Sequence, residues 1–213
     1  MQNYKVLYID LDETLYPKTN GLWLSISDRI NQFLVHRLQL SMRDAQALRQ
    51  HYLDTYGTTL NGLLIHHDID PMDYLDFVHD IAIESMIQPA PELREILKQL
   101  SARRFIFTNA SVQHANRVLN HLSIHDLFEG VIDIQALEFI NKPRREAYEK
   151  ALSLSGNPNP NKCMLFDDRI ANLYPAKELG IITVLVGEEV QDPAVDYVVH
   201  SMSEILVKIP GLK

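Results

Sequence analysis

The sequence is short of several things, and each shortage excludes something. It has one cysteine, Cys163, in 213 residues. An internal disulfide is therefore excluded, as is a structural zinc site built on several cysteines. A reducing compartment, the cytoplasm, is the expected setting. No apolar run approaches the ~20 residues that a membrane helix needs. Met1-Gln2-Asn3-Tyr4-Lys5 leads straight into a short apolar run ending in aspartate, so no signal peptide is expected. Basic charge is scarce: 20 Lys and Arg face 28 Asp and Glu, a formal net charge of −8. General nucleic-acid binders cluster Lys and Arg to neutralise phosphates. Nucleic acid is thus not an expected partner, although a local cationic pocket for a small phosphorylated ligand is compatible with the balance. What is present is ordinary for a globular chain, with 46% hydrophobic and 23% charged residues. At ~100–200 residues per domain, the length fits one domain, or one domain carrying a modest insertion.

Short apolar runs without alternation read as strands buried on both faces, as in a parallel sheet. Val6-Leu7-Tyr8-Ile9 is the first; Phe105-Ile106-Phe107, Cys163-Met164-Leu165-Phe166 and Ile181-Ile182-Thr183-Val184-Leu185-Val186 repeat the pattern. Val131-Ile132 and Tyr197-Val198-Val199 are weaker candidates. Between them lie amphipathic stretches: one opening at Pro91, one at Ser111, one following Pro143, and one from near Leu173 to Gly180. Alternating strand and helix implies a doubly wound α/β fold with a parallel sheet and right-handed crossovers. Residues 21–88 break this rhythm. They hold a helical stripe of Trp23, Ile26, Ile30, Phe33, Leu34 and Leu38, a capping pattern at Ser41 and Asp44, and a further start at Asp70-Pro71. They read as an all-helical insertion, which divides the chain into a core of residues 1–18 and 89–213 and an inserted domain of residues 19–88.

Three of the buried runs end in polar groups. The first ends in Asp10-Leu11-Asp12, the second in Thr108-Asn109, the third in Asp167-Asp168. In open parallel sheets, ligands bind outside the carboxyl ends of the strands. Aspartates also cap helices and fill turns, which accounts for any one of these pairs but poorly for all three. Residues two apart on an extended segment point the same way, so Asp10 and Asp12 can face one cavity. Ionised carboxylates crowd together only with a cation, because like charges raise each other's pKa. A hard divalent ion with oxygen ligands fits, and Mg²⁺ is the usual one beside phosphate. Lys142, held before Pro143, is the candidate positive charge.

These segments carry a resemblance. Asp10-Leu11-Asp12-Glu13-Thr14-Leu15, Thr108-Asn109, Lys142-Pro143 and Asp167-Asp168-Arg169-Ile170-Ala171-Asn172 resemble, in order, the four motifs of the haloacid dehalogenase superfamily. The insertion is similar to that superfamily's α-helical cap, and the resemblance implies a Rossmann-like core. Leu15-Tyr16-Pro17, Tyr56-Gly57-Thr58-Thr59-Leu60-Asn61-Gly62-Leu63 and Ile69-Asp70-Pro71 further resemble the pyrimidine 5′-nucleotidase branch. The resemblance implies Asp10 as nucleophile and Asp12 as general acid and base. It implies Thr108 and the Asn109 backbone N–H as holders of phosphoryl oxygens, with Lys142 balancing charge. It assigns Mg²⁺ to the carboxylates of Asp10 and Asp168 and the carbonyl of Asp12, with Asp167 as a ligand or as an orienter of ligands. It also implies a cap that closes over the site. Dehalogenases of the superfamily lack the second aspartate, so Asp12 points to a phosphatase. Arg169 stands where relatives often have a small residue, and solvent or a local carboxylate is its expected partner rather than substrate.

The expected activity is hydrolysis of a small phosphate monoester, a nucleoside monophosphate foremost. A sugar phosphate or phosphoglycolate-like metabolite is the alternative, and a non-catalytic phosphate-binding module on the same scaffold is a third reading. His66-His67-Asp68 resembles a metal cluster only superficially, since neighbouring histidines on a helix diverge; a cap surface or substrate contact is the preferred reading. Trp23, Tyr52, Tyr56 and Tyr74 are expected in the core of the cap, with Tyr16, Thr58 and Thr59 able to reach a nucleoside. Cys163 is expected to pack as a small hydrophobe.

Overall fold

The structure is a computed structural model that describes residues 4–212; residues 1–3, where the amino-terminal reading begins, and Lys213 lie outside the described residues. The chain divides into two compact units, Met1–Pro17 with Ile87–Lys213, and Lys18–Met86. No helix of the described residues is long and apolar enough to cross a membrane.

In chain order the elements are β1 (Val6–Ile9), α1 (Leu22–Leu38), α2 (Met42–Tyr56), α3 (Thr59–His66), α4 (Pro71–His79), α5 (Ile83–Met86), α6 (Pro91–Lys98), β2 (Arg103–Phe107) and α7 (Val112–His121). There follow β3 (Gly130–Ile132), α8 (Arg145–Leu154), β4 (Cys163–Asp167), α9 (Ile170–Glu178), β5 (Ile182–Val186), β6 (Tyr197–Val199) and α10 (Ile205–Lys208). The first unit is an α/β domain. Its six strands form one all-parallel sheet in the order β3-β2-β1-β4-β5-β6. Val6 stands beside both Arg103 and Cys163, so β1 is central. The continuous apolar runs follow from this position: every residue of β1 and of β4 is buried. Tyr8, Phe105, Phe107 and Tyr148 are aromatic members of one core cluster, with Tyr148 edge-on to Phe107 at 5.2 Å. A buried aromatic side chain of this kind contributes about 1.5–3 kcal/mol through the surface it removes from water. Cys163 packs in this core as a small apolar group, and burial pushes its thiol up to about 12.

Two expected helix starts shift. The helix after Pro143 begins at Arg145, because Asn141 to Arg144 form a turn closed by Arg144 N–H on the Asn141 carbonyl, and Arg144 is extended. The helix expected near Leu173 begins at Ile170. Its first turn was hidden from apolar periodicity because Asn172, a polar residue, faces inward and donates to Asp167.

In the second unit, Ser41 Oγ accepts the Asp44 N–H and opens α2, and Gly57 at φ 81° closes it. Asp70 caps α4, with Pro71 at its first turn, as the pattern predicted. Phe33 of α1 meets Tyr74 of α4 edge-on at 5.0 Å. Trp23 departs from expectation: it is 40% exposed. The buried stripe of α1 is Leu22, Ile26, Ile30, Phe33 and Leu34, and Trp23 lies about 100° round the helix from Leu22. Helix α3 was not foreseen as an element; Thr58 caps it by accepting the Asn61 N–H. His66 and His67 end as partners of tyrosines rather than as a pair, with Tyr56 Oη at 2.6 Å from His66 Nε2 and Tyr52 Oη at 3.0 Å from His67 Nε2.

Gly62 is the close approach in this unit. A Cβ placed there would lie 2.2 Å from the Tyr52 ring. Alanine favours a helix by about 1 kcal/mol over glycine, whereas overpacking costs about 1–3 kcal/mol. A contact this short puts the cost at the upper end, so Gly62→Ala is expected to lower the urea midpoint followed by circular dichroism. An unchanged or higher midpoint would show that α3 and Tyr52 separate freely.

Candidate active site

The sheet order changes direction around β1, and the carboxyl ends of β1, β2 and β4 lie side by side. Asp10 follows β1 directly, and its N–H donates to the Phe166 carbonyl of β4 at 2.9 Å. Asp167 is the last residue of β4. Thr108 follows β2 and donates its N–H to Ile132 of β3. Sheet register alone therefore sets these three residues along one edge.

Lys142 joins them from the turn before α8. Its Nζ donates to Asp10 Oδ1 at 2.8 Å and to Asp167 Oδ2 at 2.7 Å, and the side chain is 1% exposed. The side chain of Asn109 fixes the lysine's backbone. Asn109 Oδ1 accepts the Lys142 N–H at 2.8 Å, and Asn109 Nδ2 donates to the Lys142 carbonyl at 3.0 Å. Sequence reasoning assigned only the Asn109 backbone a function; this stitch to Lys142 was not foreseen. Thr108 Oγ1 accepts the Ala110 N–H at 3.0 Å and is buried. On the other side, Asp167 Oδ1 accepts from Asn172 Nδ2 at 2.9 Å and from the Arg169 backbone at 3.0 Å. The Asn172 carbonyl in turn accepts from Tyr148 Oη at 2.6 Å. Arg169, expected against solvent or a local carboxylate, is half-buried.

Ligand oxygens of Asp10, Asp167 and Asp168 lie within 4.8 Å of one another, and these are the acids that, among the described residues, gather closely enough to hold a metal ion. With Lys142, which touches Asp10 and Asp167, they make a group of three carboxylates and one ammonium. Burial pushes the Asp10 carboxyl up to about 8; Lys142 pulls it down, and Asp167 and Asp168 push it further up. Burial works against the Lys142 charge, but Asp10 and Asp167 outweigh it and hold the ammonium above the usual lysine value. Both shifts are upward. Three carboxylates against one ammonium leave the cluster short of positive charge, and an all-oxygen donor set short by two charges fits a hard divalent cation.

Asp12 is arranged differently. Its carboxylate is not in that group. Oδ1 accepts from the Tyr16 hydroxyl and faces His114 Nε2 at 2.9 Å. Burial and the Asp12 charge hold the Tyr16 phenol well above its ordinary value, so it stays a donor. His114 was missed at the sequence level. The available signal was its place three residues after the helix cap Ser111, on the turn nearest the Thr108 loop.

The sheet order, the inserted helices and this edge of acids define a class, and a comparison of the sequence with known families agrees: the chain belongs to the haloacid dehalogenase-like hydrolases, which it matches over residues 4–180. It is 29% identical over 191 residues to Phosphate metabolism protein 8 of Saccharomyces cerevisiae, a match covering 83% of this chain and 60% of that protein. The chain thus spans less than two thirds of that relative. It is 27% identical to the glyceraldehyde 3-phosphate phosphatase of Pyrococcus abyssi, covering 84% and 80% of the two chains. Its fold is similar to that of the magnesium-bound HAD-hydrolase YfnB of Bacillus subtilis, with a TM-score of 0.64 at 14% identity over 96% and 98% of the chains.

A cation that binds the folded state stabilises it by an amount set by its concentration, about 2.7 kcal/mol at a hundredfold over the dissociation constant. Adding Mg²⁺ to chelator-treated protein is expected to raise the melting temperature, and Asp168→Asn to remove most of that rise. An equal rise in the variant would place the ion elsewhere.

Proposed function

We propose that the protein is a Mg²⁺-dependent phosphatase that hydrolyses small phosphate monoesters through an aspartyl-phosphate, with pyrimidine nucleoside 5′-monophosphates as the leading substrate class. The observation that carries this reading is the Asp10 carboxylate held against Lys142 beside two further aspartates. A reducing, cytoplasmic setting belongs to the same reading, on cysteine usage.

In this reading Asp10 attacks phosphorus, the bond to the ester oxygen breaks, and Asp12 gives that oxygen a proton. Asp12 then takes a proton from water, whose oxygen attacks the aspartyl-phosphate and releases inorganic phosphate with Asp10 restored. Thr108 Oγ1 and the Asn109 N–H hold phosphoryl oxygens, and Lys142 offsets charge on Asp10 and on the phosphoryl group. Asp10, Asp168 and the Asp12 carbonyl would hold Mg²⁺, with Asp167 as ligand or orienter. When bound, the ion supplies positive charge to the phosphoryl oxygens. Magnitudes favour such a site over acid–base groups alone. Uncatalysed phosphate monoester hydrolysis is so slow that enzymes accelerate it up to ~10²¹-fold, and general acid–base catalysis contributes about 10²–10⁴ of that. The rest needs positioning and fixed positive charge.

The nucleotide class rests on the motif likenesses at Leu15-Tyr16-Pro17 and residues 56–63. The likeness to a glyceraldehyde 3-phosphate phosphatase favours a second reading, a short sugar phosphate as substrate with the same chemistry.

Phosphate release from a panel of nucleoside monophosphates and sugar phosphates, with Mg²⁺ and with chelator, tests both readings. Turnover is expected with Mg²⁺ and not with chelator. Asp10→Asn is expected to keep its circular dichroism spectrum and lose at least ~10³-fold in kcat, since covalent transfer needs the ionised carboxylate. Near-normal turnover by that variant would reject Asp10 as nucleophile.

A further inference from the structure

Besides Lys142 and the clustered acids, a further buried titratable side chain reaches this edge from a distant segment. His114 sits on α7, and its side chain is fully buried. Its Nε2 lies 2.9 Å from Asp12 Oδ1, an atom 102 residues away in sequence. A carboxylate only accepts, so the Nε2 of His114 carries the hydrogen. The same oxygen accepts from the Tyr16 hydroxyl. Two donors converging from different segments fix both torsions of the Asp12 side chain. An accepting carboxyl oxygen keeps its donors in either protonation state, provided the transferable proton sits on the other oxygen.

The placement of His114 is itself determined. Ser111 Oγ accepts the His114 N–H at 3.3 Å, and Asp133 Oδ2 accepts the Val112 N–H at 2.9 Å, so the first turn of α7 is held at two points. This turn continues directly from Thr108 and Asn109. The segment read as gripping phosphate thus also carries the donor on Asp12. A wholly buried histidine is costly to desolvate and is retained where it has a partner. Here that partner is the Asp12 carboxylate, whose side chain is 13% exposed.

We propose that His114 is a positioning residue, which together with Tyr16 aims the Asp12 carboxyl at the ester oxygen of the substrate. The proposal rests on the reading of Asp12 as acid and base. It differs from a packing role in one measurable respect: aiming the acid matters only when the leaving oxygen needs a proton. An alkoxide leaving group needs it, and 4-nitrophenolate does not.

The test is the ratio of kcat/KM for 4-nitrophenyl phosphate to that for an alkyl phosphate, either uridine 5′-monophosphate or glyceraldehyde 3-phosphate, whichever the wild type hydrolyses. The ratio does not depend on how much of a preparation is folded. In His114→Leu it is expected to rise about 10–100-fold, the scale of a misplaced general acid. His114→Gln, whose amide restores a donor near the Nε2 position, is expected to return it to within about threefold of wild type. Tyr16→Phe supplies an independent second variant, and the ratio is expected to rise there too. Equal loss on both substrates in His114→Leu, or an unchanged ratio, overturns the proposal and leaves His114 a packing residue. Absence of hydrolysis by the wild type, or full activity in Asp10→Asn, sinks the parent reading as well, so the two failures are told apart.

Discussion

The candidate site depends on one buried ammonium. Lys142 lies between Asp10 and Asp167 with almost no solvent access. Removing one partner of a buried pair leaves an uncompensated charge and costs about 3–5 kcal/mol, which explains why so much of the surroundings holds these groups in place. Asn109 grips the lysine's backbone at both ends, Thr14 Oγ1 donates to Asp10 Oδ2 at 3.2 Å, and Asn172 donates to Asp167. Each of these polar contacts sits at a strand end or helix start, where the backbone has already left its regular ladder and side chains can reach inward.

The same cluster explains the upward pull on both the acid and the base. Three carboxylates with one ammonium cannot be neutral, and the protein interior cannot screen the surplus. A cluster with this surplus of negative charge attracts cations. Asp12 stands apart from that cluster because its partners are a phenol and an imidazole. Two chemically similar carboxylates two residues apart thus meet different surroundings.

Much of this was legible in the residues. The strands were visible because a parallel sheet buries both faces, so Val6-Leu7-Tyr8-Ile9 and Cys163-Met164-Leu165-Phe166 read as continuous apolar runs. The acids at their ends stood out because three such runs, and not one alone, end in polar groups. Other features were not, and for identifiable reasons. Helix α3 escaped because it is only eight residues long and opens on two threonines, and its packing depends on a missing side chain at Gly62. Trp23 misled because hydrophobicity alone does not say on which side of a stripe one residue falls. His114 was passed over because its partner is 102 positions away, and its place one turn after the Ser111 cap does not say that it faces an acid rather than the core. The Asn109 stitch was hidden likewise: its partner is backbone, which has no letter in a sequence.

The central place of β1 has a cost during synthesis. Its neighbours on either side begin at residues 103 and 163, by the pairing of Val6 with Arg103 and with Cys163. A chain made from its amino end carries a strand apolar on both faces, with both edges bare, until those segments emerge. Unpaired apolar strands are templates for association between chains. A central, fully buried strand of the mature sheet is therefore an open one in the nascent chain, and a truncated product ending before residue 163 would retain that open edge for good.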